Sequence, residues 1–281
     1  MHDNRIQCVY SFLDTLISTI RVVILSHFKK TRLIQKEHDK CILFGNGPSL
    51  SDTLKNIGNS LSDYDIIAVN QMAKTPLYEK CKPKIYVLAD PAYWYEKGYD
   101  EEYHNADDLH KALVEKTDWE LQLYMPYEAN RPSVTDKLNK NPNIKIFYYN
   151  KTTFTGFKKI AYFIFNKQWG MIRPQTVLNP ALMLLIYSEY NTIYLAGADS
   201  DWSREVWVDE QNRLRINDRH YYNKEDHLII PCTMTEQSLA QYYVFKNYLD
   251  IEEYSKHKKV KIYNTYAFSF IDAFEKIIIK H

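Results

Sequence analysis

Short apolar segments recur along this 281-residue chain, and most of them run directly into polar or glycine-containing turn residues. Each segment is a largely apolar run of the length that is typical of a strand buried in a parallel sheet. Stretches with helical character separate several of the runs, and this alternation is typical of a doubly wound α/β fold. The predicted strands lie within residues 41–44, 64–71, 83–91, 119–126, 143–150 and 191–202.

Helical patterns fill several of the intervals between these strands. A Tyr-, Asp- and Glu-rich stretch over 93–118 and an apolar stretch over 179–190 both predict helices. The segment 233–258 predicts a long helix that begins with a capping box formed by Thr233 and Glu236. Residues 260–277 predict a closing strand, loop and helix, so the fold class is a single doubly wound, mostly parallel α/β sheet.

The N-terminal segment has a different pattern. Apolar residues recur at close to helical spacing over 9–28, interrupted by Asp14 and Arg21, and a basic stretch follows at 27–40. The segment is too short and too polar to favour a transmembrane span, and it lacks the features of a signal peptide. We expect residues 1–39 to form an amphipathic arm that binds the inner face of a membrane or packs on protein, including another subunit, and 40–281 to form the catalytic domain.

Composition narrows the classes of partner. Lys and Arg total 36 against 35 for Asp and Glu, so the net charge of +1 gives no general electrostatic basis for binding nucleic acid. The four cysteines lie far apart without metal-ligand spacing. We therefore expect a cytoplasmic protein with reduced cysteines. Any contact with a membrane is expected to be made by the arm.

Polar turn residues follow four of the predicted strands. The carboxyl ends of the strands of a parallel sheet lie at one edge, so these turns converge on one crevice, which predicts a nucleotide site. The predicted site residues are Gly45, Asn46, Gly47, Pro48, Ser49, Asn70, Gln71, Asp90, Gly197 and Asp199. The first turn alone is weak evidence, because it has neither a P-loop lysine nor a complete GxGxxG.

An ordered set of motifs resembles a known family. The motifs are GNGPSL at 45–50, Asn70-Gln71, RPQTVLNPALMLL from Arg173, IYLAGAD ending at Asp199, and NDRHYY ending at Tyr222. Over residues 40–281 their order resembles that of the bacterial sialyltransferases of glycosyltransferase family 42. It also resembles the motility accessory factor transferases that act on flagellins.

This resemblance implies a GT-A-like fold that uses a CMP-activated sugar without a metal or other cofactor. By position, it implies that Gly45, Asn46, Gly47, Asn70 and Thr176 bind the donor. We add Asn179, at the start of the following predicted helix, to the donor site. The resemblance also makes His220 the catalytic base, which suits the pKa of an unperturbed imidazole in a polar loop. His227 is the competing histidine, and Asp218 could orient either ring.

The residues after the GAD motif depart from the family pattern. The family holds the departing phosphate with two tyrosine hydroxyls, whereas this chain has Trp202 and Trp207 nearby. Guanidinium groups match phosphate oxygens, so arginines could replace those hydroxyls. The candidates for the leaving phosphate are Arg204, Arg219, Tyr221 and Tyr222, with Arg213 and Arg215 also in this polar segment.

We therefore expect an inverting transferase that moves a sialic, nonulosonic or related 2-keto sugar acid from CMP to a cell-surface glycan of lipopolysaccharide, capsule or glycoprotein. A Mg²⁺-dependent transferase using nucleoside-diphosphate sugars, or a pterin-type pyrophosphokinase, would instead use Asp199 and Asp201 as metal ligands. A third alternative is a non-catalytic scaffold recruited to a membrane by the arm.

Overall fold

The structure is a computed structural model that describes residues 2–95, 106–220 and 223–279. The side chains of residues 2–5, 59 and 218–228 lie outside the described part. In the described part the strands are β1 Lys40–Phe44, β2 Asp65–Val69, β3 Ile85–Val87, β4 Leu121–Pro126, β5 Ile144–Tyr149, β6 Thr192–Ala196, β7 Val206–Val208, β8 Leu214–His220, β9 Asn223–Ile230, β10 Lys261–Asn264 and β11 Glu275–Lys276.

Eight of these strands form one parallel sheet, in the order β11-β10-β6-β1-β2-β3-β4-β5. The chain builds outwards from β1 to β5 on one side and then crosses to β6 on the other side. The strand order therefore reverses between β1 and β6, which is where doubly wound sheets open a ligand crevice.

Helices cover both faces of the sheet. They are α1 His2–Leu25, α2 Leu50–Ile57, α3 Pro76–Cys81, α4 Ala106–Lys116, α5 Pro132–Leu138, α6 Lys158–Asn166, α7 Leu178–Tyr187 and α8 Met234–His257. Alternate residues of β1 belong to different hydrophobic clusters, one on each face of the sheet. Cys41 and Leu43 pack with α6, α7 and α8, whereas Ile42 and Phe44 pack with α2 to α5. Every residue of α7 is buried, which explains its uniformly apolar sequence.

The predicted fold class is confirmed, and so are the six predicted strands and the capping box of Thr233 and Glu236 at the start of α8. In the predicted helix over 93–118, the described helix is α4, while residues 96–105 lie outside the described part. The division at residue 39 stays a prediction.

Two local predictions are wrong. The chain closes with the short strand β11 and not with a helix, because Glu275 and Lys276 pair with Tyr263 and Asn264 of β10. The segment predicted as a polar loop contains an antiparallel sheet of three strands, β7-β8-β9. His220 is consequently the last residue of strand β8, at the end of a hairpin.

The arm is a helix, as predicted, and it packs on the domain through a narrow face. Thr15, Ser18 and Val22 are buried, whereas most of the apolar residues of α1 are exposed. Within α1, Ile6–Leu25 is long and apolar enough to cross a bilayer as judged by length and composition, with 17% of its most apolar window buried. This permits membrane association but is weak evidence for it.

Candidate functional site

Two glycine turns meet where the strand order reverses. The backbone N–H of Gly45 donates to the carbonyl of Ala196 at 2.7 Å, and that of Gly47 donates to the carbonyl of Gly197 at 2.9 Å. A Cβ on Gly45 would lie 2.4 Å from the Gly197 carbonyl oxygen, and Gly197 itself has a φ of +67°. Only glycine allows the turns after β1 and β6 to approach so closely.

A buried carboxylate ties the two turns together. Asp199 Oδ2 accepts a hydrogen bond from Ser49 Oγ at 2.7 Å, and Asp199 Oδ1 accepts one from the Ser49 backbone N–H at 3.3 Å. A Cβ on Gly47 would lie 2.0 Å from Asp199 Oδ2, so the turn can approach this carboxylate closely because residue 47 has no side chain. Burial raises the pKa of Asp199, although the hydrogen bonds from Ser49 oppose that shift.

Asn70 follows β2 in a left-handed conformation. Its φ is +49°, which is unfavourable for most residues with a side chain but is tolerated by asparagine. Tyr86 fixes this geometry, because its hydroxyl donates to the Asn70 carbonyl at 2.5 Å and accepts from the Ala73 N–H at 2.9 Å. The side-chain oxygen of Asn70 is buried and has no hydrogen-bond partner in the described structure.

The segment before α7 forms the facing wall. Thr176 donates its backbone N–H to Asn179 Oδ1 at 3.0 Å, and the Thr176 hydroxyl lies 3.4 Å from the hydroxyl of Tyr248. Asn179 is fully buried, and its Nδ2 has no partner among the described residues. Thr176 therefore lies between a buried amide and a buried phenol.

Together these elements enclose a cavity of about 370 Å³. The side-chain oxygen of Asn46, in the cavity lining, is likewise buried without a described partner. Buried polar atoms are nearly always hydrogen-bonded, so these two acceptors, on Asn46 and Asn70, are groups beside the cavity that a polar ligand could satisfy. The charged residues of the lining are all acidic: Asp90, Asp199 and Asp201.

The structure brings most predicted donor-site residues to this cavity. Its lining includes Gly45, Asn46, Gly47, Pro48, Asn70, Asp90, Thr176, Gly197 and Asp199. Three others lie outside the lining: Ser49 is bonded to Asp199, Asn179 is bonded to Thr176, and Gln71 lies in the short turn after β2. Asp90 also has a local role, since its side chain accepts from the Ala92 N–H at 2.9 Å. Their roles in binding stay predictions.

The residues predicted for catalysis and for the leaving phosphate are less fully described. Tyr221 and Tyr222 lie outside the described residues, as do the side chains of His220, Asp218, Arg219 and His227. Arg204 is described and exposed, with its guanidinium 4.4 Å from the centre of the Phe270 ring. Arg213 and Arg215 both pair with Asp209 and so are already engaged.

In the described part of the chain, three side chains could together hold a metal ion: Glu37, His38 and Asp65. Asp65 begins β2, so this group lies at the amino edge of the sheet, opposite the cavity. Asp65 Oδ2 already accepts from the Tyr190 hydroxyl at 2.6 Å and from the Glu37 N–H at 3.0 Å. These contacts give the carboxylate a structural role.

Three residues that matter to the site were not among the predicted site residues. Trp202 lines the cavity, Tyr86 holds the Asn70 backbone, and Tyr248 lies behind Thr176. Trp202 directly follows the predicted crevice loop, so it could have been found. The two tyrosines carried no distinguishing signal, because neither belongs to a recognisable motif and the chain has 24 tyrosines.

A solved structure of similar fold is the MAf glycosyltransferase from Magnetospirillum magneticum AMB-1, with 13% sequence identity and a TM-score of 0.52. The alignment covers 94% of this chain but 38% of that chain, so this chain spans well under half of the neighbour's length. Another solved structure is a mammalian sialyltransferase in complex with Gal-beta-1-3GalNAc-ortho-nitrophenol, with 12% identity and a TM-score of 0.35. That alignment covers 87% of this chain and 77% of the sialyltransferase chain.

At the level of sequence, no curated protein matches the chain. A protein family does match, over residues 14–205, and it is described as 6-hydroxymethylpterin diphosphokinase MptE-like. The matched region contains β1 to β6 and therefore the glycine turns and Asn70, together with Thr176 and Asp199. The chain belongs to the MptE-like family.

Proposed function

We propose that the chain is an inverting, metal-independent glycosyltransferase that moves a sialic, nonulosonic or related 2-keto sugar acid from a CMP donor to a cell-surface glycan. The observation that carries this proposal is the pair of unpaired buried oxygens on Asn46 and Asn70 beside the cavity. A ribose offers hydroxyl donors and cytosine offers an amino donor, so a cytidine nucleotide could satisfy both oxygens. A glycosyltransferase of similar fold adds support at the level of architecture.

In this proposal the chain's own groups perform each step. His220 takes the proton of the acceptor hydroxyl as that oxygen attacks the anomeric carbon, and the bond to the CMP phosphate breaks on the opposite face. Asp218 orients the imidazole. Because the cavity lining is acidic, the charge of the leaving phosphate must be balanced from outside the lining. Arg204 and Arg219 are proposed for this, with Tyr221 and Tyr222 donating hydrogen bonds.

Arg173 is a further cation at the rim. It immediately precedes the lining residue Pro174, and its guanidinium lies 4.1 Å from the centre of the Tyr243 ring. A guanidinium stacked in this way loses little side-chain freedom when it binds a phosphate. Arg173 therefore precedes the lining segment 174–178 in sequence, and Arg204 follows the lining segment 197–202.

A Mg²⁺-dependent pyrophosphokinase is the second candidate, and it is favoured by the acidic lining together with the family description. It requires Asp199 and Asp201 to bind the metal. Both oxygens of Asp199 already accept hydrogen bonds from Ser49, so a metal ion would have to share this carboxylate with the link between the turns. For that reason we favour the first candidate.

Thermal unfolding with CMP, CDP, UDP, GDP and ATP, each with EDTA or Mg²⁺, separates the two candidates, because a ligand of the folded state raises the melting temperature. We expect a rise with CMP that persists in EDTA. His220→Ala should abolish sugar transfer and retain the CMP shift, whereas the matched variant His227→Ala should retain both. A shift confined to ATP with Mg²⁺, or full transfer by His220→Ala, would contradict the proposal.

A further inference from the structure

The outward surface of α1 is apolar. Its domain-facing side carries small residues, and the hydroxyls of Thr15 and Ser18 bond to the domain. An amphipathic helix normally turns its apolar face to the core, so the orientation of α1 is reversed. The exposed apolar and aromatic residues of α1 are Ile6, Val9, Tyr10, Phe12, Leu13, Leu16, Ile17, Ile20, Val23, Ile24 and Leu25.

This apolar surface continues onto α6. Phe157, Ile160 and Phe163 are 36%, 41% and 51% exposed, and the Phe157 N–H donates to Thr15 Oγ1 at 2.8 Å. Near the end of α1, Phe28 and Phe163 both contact the Trp169 ring edge-on. We call the outward residues of α1 together with Phe28, Phe157, Ile160 and Phe163 the apolar platform. A contiguous patch of this kind marks an interaction surface.

Positive charges border the platform. Exposed Arg21, Lys29, Lys30, Lys159 and Lys167 form no ion pair with any described acidic residue. Lys167 Nζ lies 5.7 Å from the centre of the Phe163 ring, so this ammonium lies directly beside a platform residue. Between residues 6 and 25 of α1 there is one acidic residue, Asp14, and it is exposed. This charge pattern complements a membrane that contains anionic lipid.

The docking of α1 determines how it can meet a bilayer. Thr15, near the middle of Ile6–Leu25, accepts from the Phe157 N–H, and Ser18 Oγ accepts from the Thr155 N–H at 3.1 Å. The His27 N–H donates to Asn150 Oδ1 at 2.8 Å and anchors the far end. If docked α1 crossed a bilayer, the irregular backbone at 155–157 would enter the hydrocarbon, which is strongly unfavourable.

We propose that the apolar platform binds the surface of an anionic bilayer, with α1 lying parallel to the membrane plane and α6 beside it. The inference goes beyond the proposed function, because it needs no nucleotide and no acceptor. Residues 169–178 connect Trp169, which contacts Phe28 and Phe163 of the platform, to the cavity wall at Pro174–Leu178.

The test is sedimentation of the purified full chain with vesicles of phosphatidylcholine, alone or with 30% phosphatidylglycerol. We expect at least tenfold more bound protein on the anionic vesicles. Ile160→Glu and Phe163→Glu should each lower the bound fraction at least fivefold, because both side chains would contact lipid in the parallel orientation. Phe163 also contacts Trp169, so Ile160→Glu keeps the test valid if Phe163→Glu fails to fold.

The matched control is Leu239→Glu on α8, where the wild-type side chain is 52% exposed. It lies about 22 Å along the axis of α8 from Tyr254, whose ring centre is 5.3 Å from that of Phe165 on α6, and should leave vesicle binding unchanged. Wild-type binding by Ile160→Glu would indicate that α1 inserts alone and would overturn the parallel orientation. Two other results would also overturn the proposal. One is equal binding of wild type to both kinds of vesicle. The other is a wild type that binds neither kind and forms, without lipid, a dimer that Ile160→Glu disrupts.

Because vesicle binding is measured without nucleotide, it is independent of the sugar-transfer assay. A chain that binds anionic vesicles but shows no thermal shift with CMP would support the platform and contradict the proposed function. A thermal shift with CMP in a chain that does not bind vesicles would support the proposed function and contradict the platform.

Discussion

At the scale of single residues, Asp199 shows how one buried carboxylate shapes the candidate site. It receives two hydrogen bonds from Ser49 and lies against Gly47. Asp199→Ala leaves the buried Ser49 hydroxyl and N–H without their acceptor, so we expect the free energy of unfolding to fall by about 2 kcal/mol. Ser49→Ala removes one of the two bonds and should cost about 1 kcal/mol. Urea unfolding measures both changes, and an unchanged midpoint for Asp199→Ala would contradict this role.

Asp199 also gives a pH dependence with a definite sign. Its pKa is raised by burial above the ordinary value of 3.8, so the folded state binds this proton more tightly than the unfolded state does. The stabilisation that comes from this tighter proton binding is therefore full below pH 3.8 and is lost as the pH rises through the folded pKa. Asp199→Asn keeps the shape and cannot titrate. The stability of wild type relative to this variant should fall with rising pH, and a rise would contradict the assignment.

Asn70 separates the effect of backbone conformation from that of the side-chain amide. Asn70→Gly accepts the φ of +49° and removes the unpaired oxygen, so it should unfold within about 1 kcal/mol of wild type. Asn70→Ala should lose about 1 kcal/mol through backbone strain. Both should weaken nucleotide binding by about tenfold, the effect of one lost hydrogen bond. Calorimetric titration with CMP checks this, and wild-type affinity in Asn70→Gly would remove Asn70 from the site.

At the scale of secondary-structure elements, the strands that could be predicted from the sequence are those that a local residue pattern determines. The strands β1 to β6 are apolar runs bounded by turn residues, and in a parallel sheet this pattern alone predicts that Asn46, Asn70 and Asp199 lie at one edge. The three-stranded sheet was missed because β8 and β9 are rich in polar residues, which resembles a loop in sequence. Strand β11 has two residues and depends on pairing with β10, which no local pattern shows.

The docking of α1 depends on Gly156. This residue has a φ of +120°, and a Cβ there would lie 2.1 Å from Thr15 Oγ1 and 2.6 Å from the Thr15 backbone nitrogen. Backbone atoms cannot move aside cheaply, so Gly156→Ala should displace α1 from the domain. We expect proteolysis within 26–39 to become at least tenfold faster, because cleavage follows local opening.

Gly58→Ala is the control for backbone strain, since Gly58 also has a positive φ of 52°. Both variants should lose about 1 kcal/mol of unfolding free energy from that strain, but Gly58→Ala should not change cleavage within 26–39. Equal cleavage rates in Gly156→Ala and wild type would show that the helix does not need this close approach.

At the scale of the whole molecule, the core is unusually rich in tyrosine. Burial raises the pKa of the phenols of Tyr78, Tyr124, Tyr149, Tyr187, Tyr190, Tyr248 and Tyr254. These residues pack on both faces of the sheet, so they belong to both halves of the core. A phenol has to ionise by losing a proton, and a buried phenolate costs far more than a buried phenol.

The expected consequence is cooperative unfolding in alkali. The ordinary pKa of tyrosine is 10.0, and each of these seven groups has a higher pKa in the folded state. Their contribution to stability is therefore intact below pH 10 and is lost as the pH rises through the folded pKa. The buried phenols should add one cooperative rise in absorbance at 295 nm, which coincides with the loss of far-ultraviolet circular dichroism. Tyr190→Phe should reduce the amplitude of that step, whereas Tyr242→Phe, at an exposed site, should not. Complete ionisation with intact secondary structure would show that the tyrosine core opens to water without unfolding.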